Sequence, residues 1–322
     1  MSKRFRSGLV VGTFAPLHRG HQLVIEAAIA ACDRVTVMTW ANPDVPGMPT
    51  SVRAGWVRAL YPHVEVIAIE AADAPPDDAP DAVQQAFTEA VLPHSVDAVF
   101  TSEAYGPGLA GRLRAEHVEV DRARVQVPIS GTQIRADIHA NRDWLDPHVY
   151  AHFVQRVVFL GAESTGKSTL AQALAEEMGE PYVEEVGRTL WVEADGDLPL
   201  DDYVTICREH VALENEAVLR ADRFVFVDTN AITTQQYAFF FFGICPEAVQ
   251  AYADRCAGRY AHTFVCAPDI PFDQDGTRVH SQVQQYQDGA IRNDLTIRGI
   301  PYTVVGGTLA ERVAAVRRHL GA

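Results

Sequence analysis

Two histidines three residues apart, His18 and His21, stand in the stretch GTFAPLHRGH at residues 12–21, just after an apolar run. A tetrahedral metal site needs further ligands, and no cluster of Cys, His or carboxylate residues with suitable spacing lies near this stretch in the sequence. The pair flanks the point where a strand passes through a glycine turn into a helix, which is the geometry of an anion site. The sequence therefore predicts that both imidazoles donate hydrogen bonds to phosphate.

A second stretch in the first half of the chain, ISGTQIR at residues 129–135, has a similar character. Ser130 and Thr132 are suited to cap a helix N-terminus whose backbone N–H groups face phosphate, and Arg135 adds a fixed positive charge. Two anion sites in one half of the chain indicate a triphosphate ligand.

The most specific motif is GAESTGKST at residues 161–169, which fits the phosphate-loop pattern G-x-x-x-x-G-K-[ST] without a mismatch. It follows an apolar strand and precedes an alanine-rich helix, so its backbone N–H groups can wrap a phosphate chain at a helix N-terminus. We expect Lys167 to reach the β- and γ-phosphates and the Ser168 hydroxyl to hold Mg²⁺. The predicted nucleotide-binding residues of this motif are Gly161, Glu163, Ser164, Thr165, Gly166, Lys167, Ser168 and Thr169.

Charged residues after the phosphate loop stand where phosphoryl transfer needs them. Asp228 ends the apolar strand FVFVD and is the predicted support of Mg²⁺. Glu185 and Arg188 follow an earlier strand and either hold the acceptor or form a surface ion pair. Arg278 lies in a polar loop, where it either closes over the phosphates or is solvated. Because the sequence contains no G-protein switch motif, a small-molecule kinase is favoured over a GTPase.

Short apolar strands alternate with helical segments along the whole chain, which predicts an α/β protein with parallel sheets covered on both faces by helices. The periodicity lapses at residues 137–155, so we expect two α/β domains, residues 1–150 and residues 151–322. The predicted strands are Leu9–Thr13, Arg34–Trp40, Val64–Ile69, Ala98–Thr101, Val118–Val120, Val157–Leu160, Tyr182–Val186, Phe224–Asp228, Thr263–Ala267 and Tyr302–Val305.

Composition narrows the class of protein. The chain has 322 residues and a net charge of −15, which suits two domains and argues against a surface that holds nucleic-acid backbone. Five cysteines without a Cys-x-x-Cys pair are typical of reduced thiols in a cytoplasmic protein, and we expect no signal peptide. The most apolar stretch, YAFFFFGIC at residues 237–245, is too short to span a bilayer, so no membrane insertion is expected. It is predicted to be one buried helix, with a subunit contact, and hence a homo-oligomer, as the alternative.

Together, GTFAPLHRGH and ISGTQIR resemble the signature pair of the nucleotidyltransferase superfamily of adenylyl- and cytidylyltransferases. The resemblance implies a Rossmann-like parallel sheet, and attack of a substrate phosphate on the α-phosphate of ATP with release of pyrophosphate. It implies that His18 and His21 stabilise the triphosphate and that Arg135 contacts the leaving phosphates. The other nucleotide-binding residues that it implies are Gly12, Thr13, Phe14, Ser130 and Thr132.

An adenylyltransferase followed by a P-loop kinase resembles the bifunctional nicotinamide-nucleotide adenylyltransferase/ribosylnicotinamide kinase family, the NadR type, over nearly the whole chain. This resemblance implies phosphorylation of nicotinamide riboside to the mononucleotide (NMN) by the second domain and adenylylation of NMN to NAD by the first. ATP is the co-substrate and Mg²⁺ the expected metal. The residues implied for NMN and NAD are Arg53, Trp56, Thr101, Ser102 and Glu103. Those implied for the riboside are Glu185, Arg188, Asp228 and Asn230.

Some of these assignments have alternatives. Trp56 either stacks on the cationic pyridinium or is a core residue of its helix. Either Glu185 or Asp228 is the kinase base. Asn230 stands where relatives often carry a second acid, and no arginine follows Arg278 until Arg292.

The sequence leaves no room for the N-terminal helix-turn-helix of many relatives, so a transcriptional role is not expected. Two other functional hypotheses compete with a function of the NadR type. One is a fusion of pantetheine-phosphate adenylyltransferase with dephospho-coenzyme A kinase, and the other is a non-catalytic sensor of NAD or ATP.

Overall fold

The structure of the chain, a computed structural model, describes residues 3–41, 45–270 and 281–322. Contacts between Cα atoms divide it into two compact units, Met1–His152 and Phe153–Ala322. Each unit is built around one sheet, and the two are described separately below.

The first unit contains a five-stranded sheet in which every neighbouring pair of strands is parallel, in the order β3-β2-β1-β4-β5. The direction of winding reverses between β1 and β4, so a crevice opens beyond their carboxyl ends. The elements are β1 (Phe5–Gly12), α1 (Arg19–Ala31), β2 (Cys32–Trp40), α2 (Thr50–Leu60), β3 (Glu65–Ile69), α3 (Asp81–Val91), β4 (Ala98–Thr101), α4 (Gly106–Leu113), β5 (Glu116–Glu119), α5 (Gly131–Ala136) and α6 (Pro147–Tyr150).

The central strands of this sheet are apolar because helices cover both of their faces. Val10 of β1 pairs with Val37 of β2 and with Phe100 of β4, and none of the three is more than 2% exposed. Gly8 permits the close packing at the start of β1, since a Cβ atom there would lie 2.6 Å from the Cys32 sulfur. This packing fixes the strand that leads into the GTFAPLHRGH segment.

The second unit contains another parallel sheet of five strands, in the order β10-β9-β6-β8-β7. Its central strand β6 pairs with β8 so that Phe159 lies opposite Asp228, next to the point where the phosphate loop leaves the sheet. The elements are β6 (Gln155–Leu160), α7 (Lys167–Met178), β7 (Tyr182–Val183), α8 (Val186–Glu193), α9 (Asp202–Ala217), β8 (Phe224–Asp228), α10 (Ala231–Phe242), α11 (Glu247–Arg255), β9 (His262–Cys266), α12 (Ser281–Ile297), β10 (Thr303–Val305) and α13 (Leu309–Leu320).

The predicted fold class is confirmed, because both sheets are parallel and every predicted strand has a counterpart within a few residues. The largest differences are at β1, which begins at Phe5 instead of Leu9, and at β7, which ends at Val183 instead of Val186. The chain turns there because Glu185 is the N-cap residue of α8. Within the described part of the chain, no helix is long and apolar enough to cross a membrane.

The prediction for YAFFFFGIC was wrong in one respect. The segment is helical as far as Phe242, where Gly243 with φ 69° ends α10, but the four phenylalanines at 239–242 are 41–53% exposed. A run of four apolar residues covers every face of a helix. The buried residues of α10 lie in its first two turns and are Ala231, Ile232, Thr233, Thr234 and Ala238, whereas the C-terminal turn that carries the phenylalanines is exposed.

Candidate functional site

A cavity of about 440 Å³ opens beyond the carboxyl ends of β1 and β4 in the first unit. The two phosphate motifs predicted from the sequence, far apart along the chain, both line it. The predicted site residues that the structure brings together here are Gly12, Thr13, Phe14, His18, His21, Thr101, Ser102, Glu103, Ser130, Thr132 and Arg135.

The two histidines form the start of α1. The N–H of Gly20 donates to Nδ1 of His18 over 3.1 Å, and the N–H of His18 donates to Nδ1 of His21 over 3.4 Å. The two rings are stacked with their centroids 3.8 Å apart. Each side chain therefore satisfies a backbone donor that a helix start would otherwise leave open, and the pair is held rigidly.

Burial keeps both imidazoles uncharged. Desolvation lowers the pKa of His18 to about 4, and the positive charges of Arg124 and Arg135 act in the same direction. Burial also holds the pKa of His21 well below its usual value, with His18 adding to the effect and the Pro16 carbonyl opposing it. Because Nδ1 of His18 accepts the Gly20 N–H, the proton of its neutral ring is placed on Nε2. Near pH 7 His18 thus offers an N–H donor without a net charge.

The ISGTQIR segment forms the adjacent wall, since a Cβ atom at Gly131 would lie 3.9 Å from the His18 ring. Ser130 caps α5 by accepting the Gln133 N–H over 3.3 Å. Arg135 donates to the Ala15 carbonyl over 2.5 Å and to the Thr132 hydroxyl over 3.1 Å, which ties this segment to the first motif. The result is one cavity in which neutral donors face a fixed guanidinium charge.

The structure does not bring Arg53 and Trp56 to the cavity, although the sequence placed both at the nicotinamide nucleotide. Arg53 is fully buried and donates to the carbonyls of Thr13 (2.7 Å) and Trp40 (2.6 Å), at the carboxyl ends of β1 and β2. Trp56 is 7% exposed and packs edge-on against the His152 ring at 5.5 Å. Both residues therefore lie behind the wall, where Arg53 shapes the turn that carries the histidines.

The sequence reasoning missed one cationic residue of this cavity, Arg124. It stands in the loop after β5 with φ 52° and pairs with Glu103 over 3.4 Å across the cavity. Asp121 organises this loop by accepting the backbone N–H groups of residues 125–127 over 2.8–3.1 Å. The only signal in the sequence is an arginine shortly before ISGTQIR, too weak to find without the structure.

The phosphate loop of the second unit leaves β6 with left-handed backbone at Gly161 (φ 146°), Ser164 (φ 58°) and Gly166 (φ 78°). A Cβ atom at Gly161 would lie 2.8 Å from the carbonyl oxygen of Cys266, so only glycine fits there. The Lys167 ammonium donates to the Ala162 carbonyl over 2.9 Å and therefore lies over the loop. The loop has the wrapped path that presents successive N–H groups to phosphate.

Three members of the predicted loop set have different surroundings. Thr165 is fully buried, and its hydroxyl donates to the Ala162 carbonyl over 2.8 Å, so its side chain closes the loop instead of facing a ligand. Ser168 is half-buried and Thr169 exposed in the first turn of α7. Ser168 is therefore the accessible hydroxyl next to Lys167 that can hold a metal ion.

Two carboxylates, Asp228 and Glu185, lie close to the phosphate loop. Asp228 is 1% exposed, and one of its oxygens accepts the Tyr182 hydroxyl over 3.3 Å. The other oxygen has no hydrogen-bond partner among the described residues. Burial and the nearby Asp228 raise the pKa of Glu185 to about 7, while Lys167 and Arg188 oppose the shift. Glu185 therefore titrates near neutral pH.

A cavity of about 110 Å³ adjoins these carboxylates between α8, α9 and α10. Glu163, Glu185 and Arg188 supply its charges, and Trp191, Tyr203, Tyr237 and Phe241 supply its aromatic walls. The exposed phenylalanine run is thus partly explained, since Phe241 lines this cavity. Phe239 and Phe240 line a second cavity of about 340 Å³ between α10 and α12.

The predicted riboside contact Asn230 does not line this cavity. Asn230 is 2% exposed and caps α10, where its Oδ1 accepts the N–H of Ile232 over 3.0 Å. Asn230 therefore serves as a helix cap at the position where relatives often carry a second acid. Arg278 lies outside the described residues.

The sequence reasoning also missed the glutamines of α12 that hold Glu163 of the phosphate loop. The Gln284 amide donates to the Glu163 carbonyl over 2.9 Å, and Oε1 of Gln287 accepts the Glu163 N–H over 3.1 Å. Tyr237 of α10 donates to the Glu163 carboxylate over 3.1 Å. Two helices thus fix the side of the phosphate loop that faces the aromatic cavity.

Comparison with known proteins agrees with this arrangement. A family profile described as an AAA domain matches residues 156–312. The chain is 28% identical over 295 residues to the trifunctional NAD biosynthesis/regulator protein NadR of Escherichia coli K12, covering 84% of this chain and 71% of that protein. The NadR of Salmonella typhimurium LT2 is also 28% identical, over 293 residues, with the same coverage.

Two crystal structures of NadR proteins share the fold. The one in complex with NR has a TM-score of 0.72 at 23% identity and covers 100% of this chain and 97% of its own. The one in complex with NAD and AMP-PNP has a TM-score of 0.70 at 22% identity and covers 100% of this chain and 98% of its own. Together with the curated relatives, these matches confirm the predicted resemblance.

Proposed function

We propose that this chain, a protein of the NadR type, makes NAD from nicotinamide riboside in two ATP-dependent steps. The observation that supports the proposal is that both phosphate motifs of the first unit line one cavity, and that the second unit has a phosphate loop next to a cavity with aromatic walls. Residues 151–322 phosphorylate the riboside to NMN. Residues 1–150 then join NMN to the adenylyl group of ATP.

In the first unit, a phosphate oxygen of NMN attacks the α-phosphate of ATP, and pyrophosphate leaves. The Nε2–H group of His18 and the imidazole of His21 donate to the triphosphate, and Arg135 stabilises the charge that develops on the leaving phosphates. Because the histidines are neutral, they bind phosphate without exchanging a proton during transfer. Thr101, Ser102 and Glu103, at the end of β4, line the side of the cavity that receives the nicotinamide nucleotide.

In the second unit, a riboside hydroxyl attacks the γ-phosphate of ATP, and ADP leaves. The N–H groups of the phosphate loop and Lys167 hold the phosphates in line. The aromatic cavity beside Glu185 and Arg188 receives the riboside, because its walls suit a cationic pyridinium. Glu185 or Asp228 accepts the hydroxyl proton, and the elevated pKa of Glu185 makes it the better matched group.

The residues of the second unit fit a magnesium ion. The uncompensated Asp228 oxygen and the Ser168 hydroxyl are hard oxygen donors. Mg²⁺ needs few protein ligands beside water and substrate phosphates, so the absence of a cluster of three or more His, Cys, Asp or Glu residues from the described ranges does not oppose it. When bound, the ion neutralises charge on the phosphates.

The decisive experiment incubates the protein with Mg-ATP and either nicotinamide riboside or NMN. We expect ADP and NMN from the first mixture, and pyrophosphate and NAD from the second. Formation of neither product, together with acceptance of phosphopantetheine, would support the coenzyme A alternative. Binding of ATP without turnover of either substrate would support a non-catalytic sensor.

The remaining proposals concern the partners, the cellular location and the oligomeric state of the chain. The expected partners are small molecules, namely ATP, nicotinamide riboside, NMN and NAD, and not nucleic acid. A cytoplasmic location is supported by five cysteines that are all free thiols. Whether a homo-oligomer forms is a question for sedimentation or light scattering.

A further inference from the structure

Arg312, a buried arginine of the last helix, donates a hydrogen bond to the phosphate loop. It lies in the first turn of α13 and is only 2% exposed. A charged group this deep in the protein is costly unless its donors are satisfied. The buried position of Arg312 therefore indicates a structural or functional role.

Hydrogen bonds to three separate segments satisfy the Arg312 guanidinium. Nη1 donates to the Thr165 carbonyl over 2.6 Å, and Nε donates to the Gly307 carbonyl over 2.9 Å. Nη2 donates to the Ala267 carbonyl over 3.2 Å and to the Asp269 carboxylate. One side chain thus joins the phosphate loop to the ends of β9 and β10.

The bond to Thr165 has a geometric consequence for the phosphate loop. In a trans peptide the carbonyl and the following N–H point in opposite directions. Fixing the Thr165 carbonyl toward Arg312 therefore directs the Gly166 N–H away from the protein interior, to the side where phosphate binds. Gly166 itself has φ 78°, a conformation that glycine adopts without steric cost.

The role of Arg312 is geometric more than electrostatic. Its charge is paired with Asp269, which also accepts the Gly307 N–H over 2.7 Å. The planar fork of arginine can reach three carbonyls and a carboxylate at once, whereas a lysine ammonium cannot match that arrangement.

We infer that Arg312 is a positioning residue of the kinase site, which sets the phosphate loop for ATP through the Thr165–Gly166 peptide. This inference rests on the proposed kinase function. We expect Arg312 to contact neither substrate and to act through the loop that binds ATP. Its loss should therefore raise the KM for ATP and leave the KM for nicotinamide riboside unchanged.

The test compares Arg312→Gln and Arg312→Lys with Arg259→Gln in the full chain. Arg259 is a matched control, because it also holds a carboxylate (Glu214, 2.6 Å) and a backbone carbonyl (Val211, 3.4 Å) but no part of the phosphate loop. We expect Arg312→Gln to raise the KM for ATP about tenfold or more, with kcat within about threefold. Arg312→Lys should have an intermediate effect.

Two internal controls separate this effect from loss of folding. Adenylyl transfer by the first unit should stay unchanged in all three variants. Arg259→Gln should lower the melting temperature without raising the KM for ATP. If Arg312→Gln does not fold, Arg312→Lys and Asp269→Asn give the same comparison, with a smaller rise in KM.

A folded Arg312→Gln variant with a wild-type KM for ATP would overturn the inference, as would an equal rise in Arg259→Gln. The affinity for AMP-PNP at the second unit, obtained as the difference from a Lys167→Ala variant, tests Arg312 without any acceptor. If wild type does not phosphorylate nicotinamide riboside but Arg312→Gln still weakens AMP-PNP binding, the proposed function fails and the role of Arg312 stands.

Discussion

The two proposed nucleotide sites of the chain present different groups to phosphate. In the first unit the donors are side chains, two neutral imidazoles stacked at 3.8 Å and an arginine tied to the Ala15 carbonyl. In the second unit the donors are backbone N–H groups, with Lys167 as the adjacent charge. The first arrangement depends on burial to keep the histidines neutral, and the second on a backbone path that glycines permit. The two sites should therefore fail in different ways when they are perturbed.

The largest effect is expected from removing the charge of the second site. Lys167→Ala should reduce phosphorylation of nicotinamide riboside by about 10³-fold or more, because no other lysine lies in the loop to contact the transferring phosphate. Adenylyl transfer should keep its wild-type rate. Parallel assays of ADP and pyrophosphate release measure both. Loss of both activities in a folded protein would contradict the picture of independent sites.

The converse change in the first site should lower its activity less, because several side-chain donors contact the triphosphate there. His21→Ala should lower adenylyl transfer on the order of 10²-fold and leave the kinase unchanged. His139→Ala is the matched control, since His139 bonds to the Tyr150 hydroxyl at 2.6 Å and does not line the cavity. A wild-type rate of pyrophosphate release from His21→Ala would rule out the proposed contact with the triphosphate.

The two activities should also differ in their dependence on pH. The pKa of His18 is lowered to about 4, so it stays neutral as the pH falls from 8 to 6. The pKa of Glu185 is raised to about 7, so its basic form is lost over the same interval. If Glu185 is the base, kinase kcat/KM should fall about tenfold between pH 8 and pH 6, with little change in adenylyl transfer.

Glu185→Gln decides between the two candidate bases. It should abolish the pH dependence together with most of the kinase activity if Glu185 accepts the proton. If the variant keeps both the activity and the pH profile, Asp228 is the base.

The smallest expected effect is on binding to DNA. With a net charge of −15, the chain should show no sequence-specific operator binding, with or without NAD and ATP, although the curated relatives are described as regulators. A gel-shift titration at about 100 mM salt checks this. Sub-micromolar specific binding to any duplex would contradict it.

The features that the sequence predicted well are local ones. A phosphate loop, a capped helix start and a strand that ends in a carboxylate are each set by a few consecutive residues, so GAESTGKST and GTFAPLHRGH could be interpreted directly. The sheets followed from the alternation of strands and helices. The two phosphate motifs of the first unit were expected to share a triphosphate, and the structure places both in one cavity.

The features that the sequence did not predict depend on contacts between distant segments. Nothing near Arg312 indicates that it reaches Thr165, 147 positions earlier in the chain. Arg53 was assigned to the nicotinamide nucleotide because of the family resemblance, yet three-dimensional packing turns it toward the carbonyls of two strand ends. The exposure of the phenylalanines likewise depends on how α9, α11 and α12 pack against α10, which leaves its C-terminal turn exposed.

The start of α1 has an evolutionary consequence. His18 both caps the helix and lines the cavity, and an asparagine at this position would keep the cap while removing the imidazole N–H. A descendant of this chain could therefore lose adenylyl transfer by one substitution without losing its fold or its second activity. Such a lineage would depend on another enzyme for its dinucleotide, and nothing in its stability would reveal the loss.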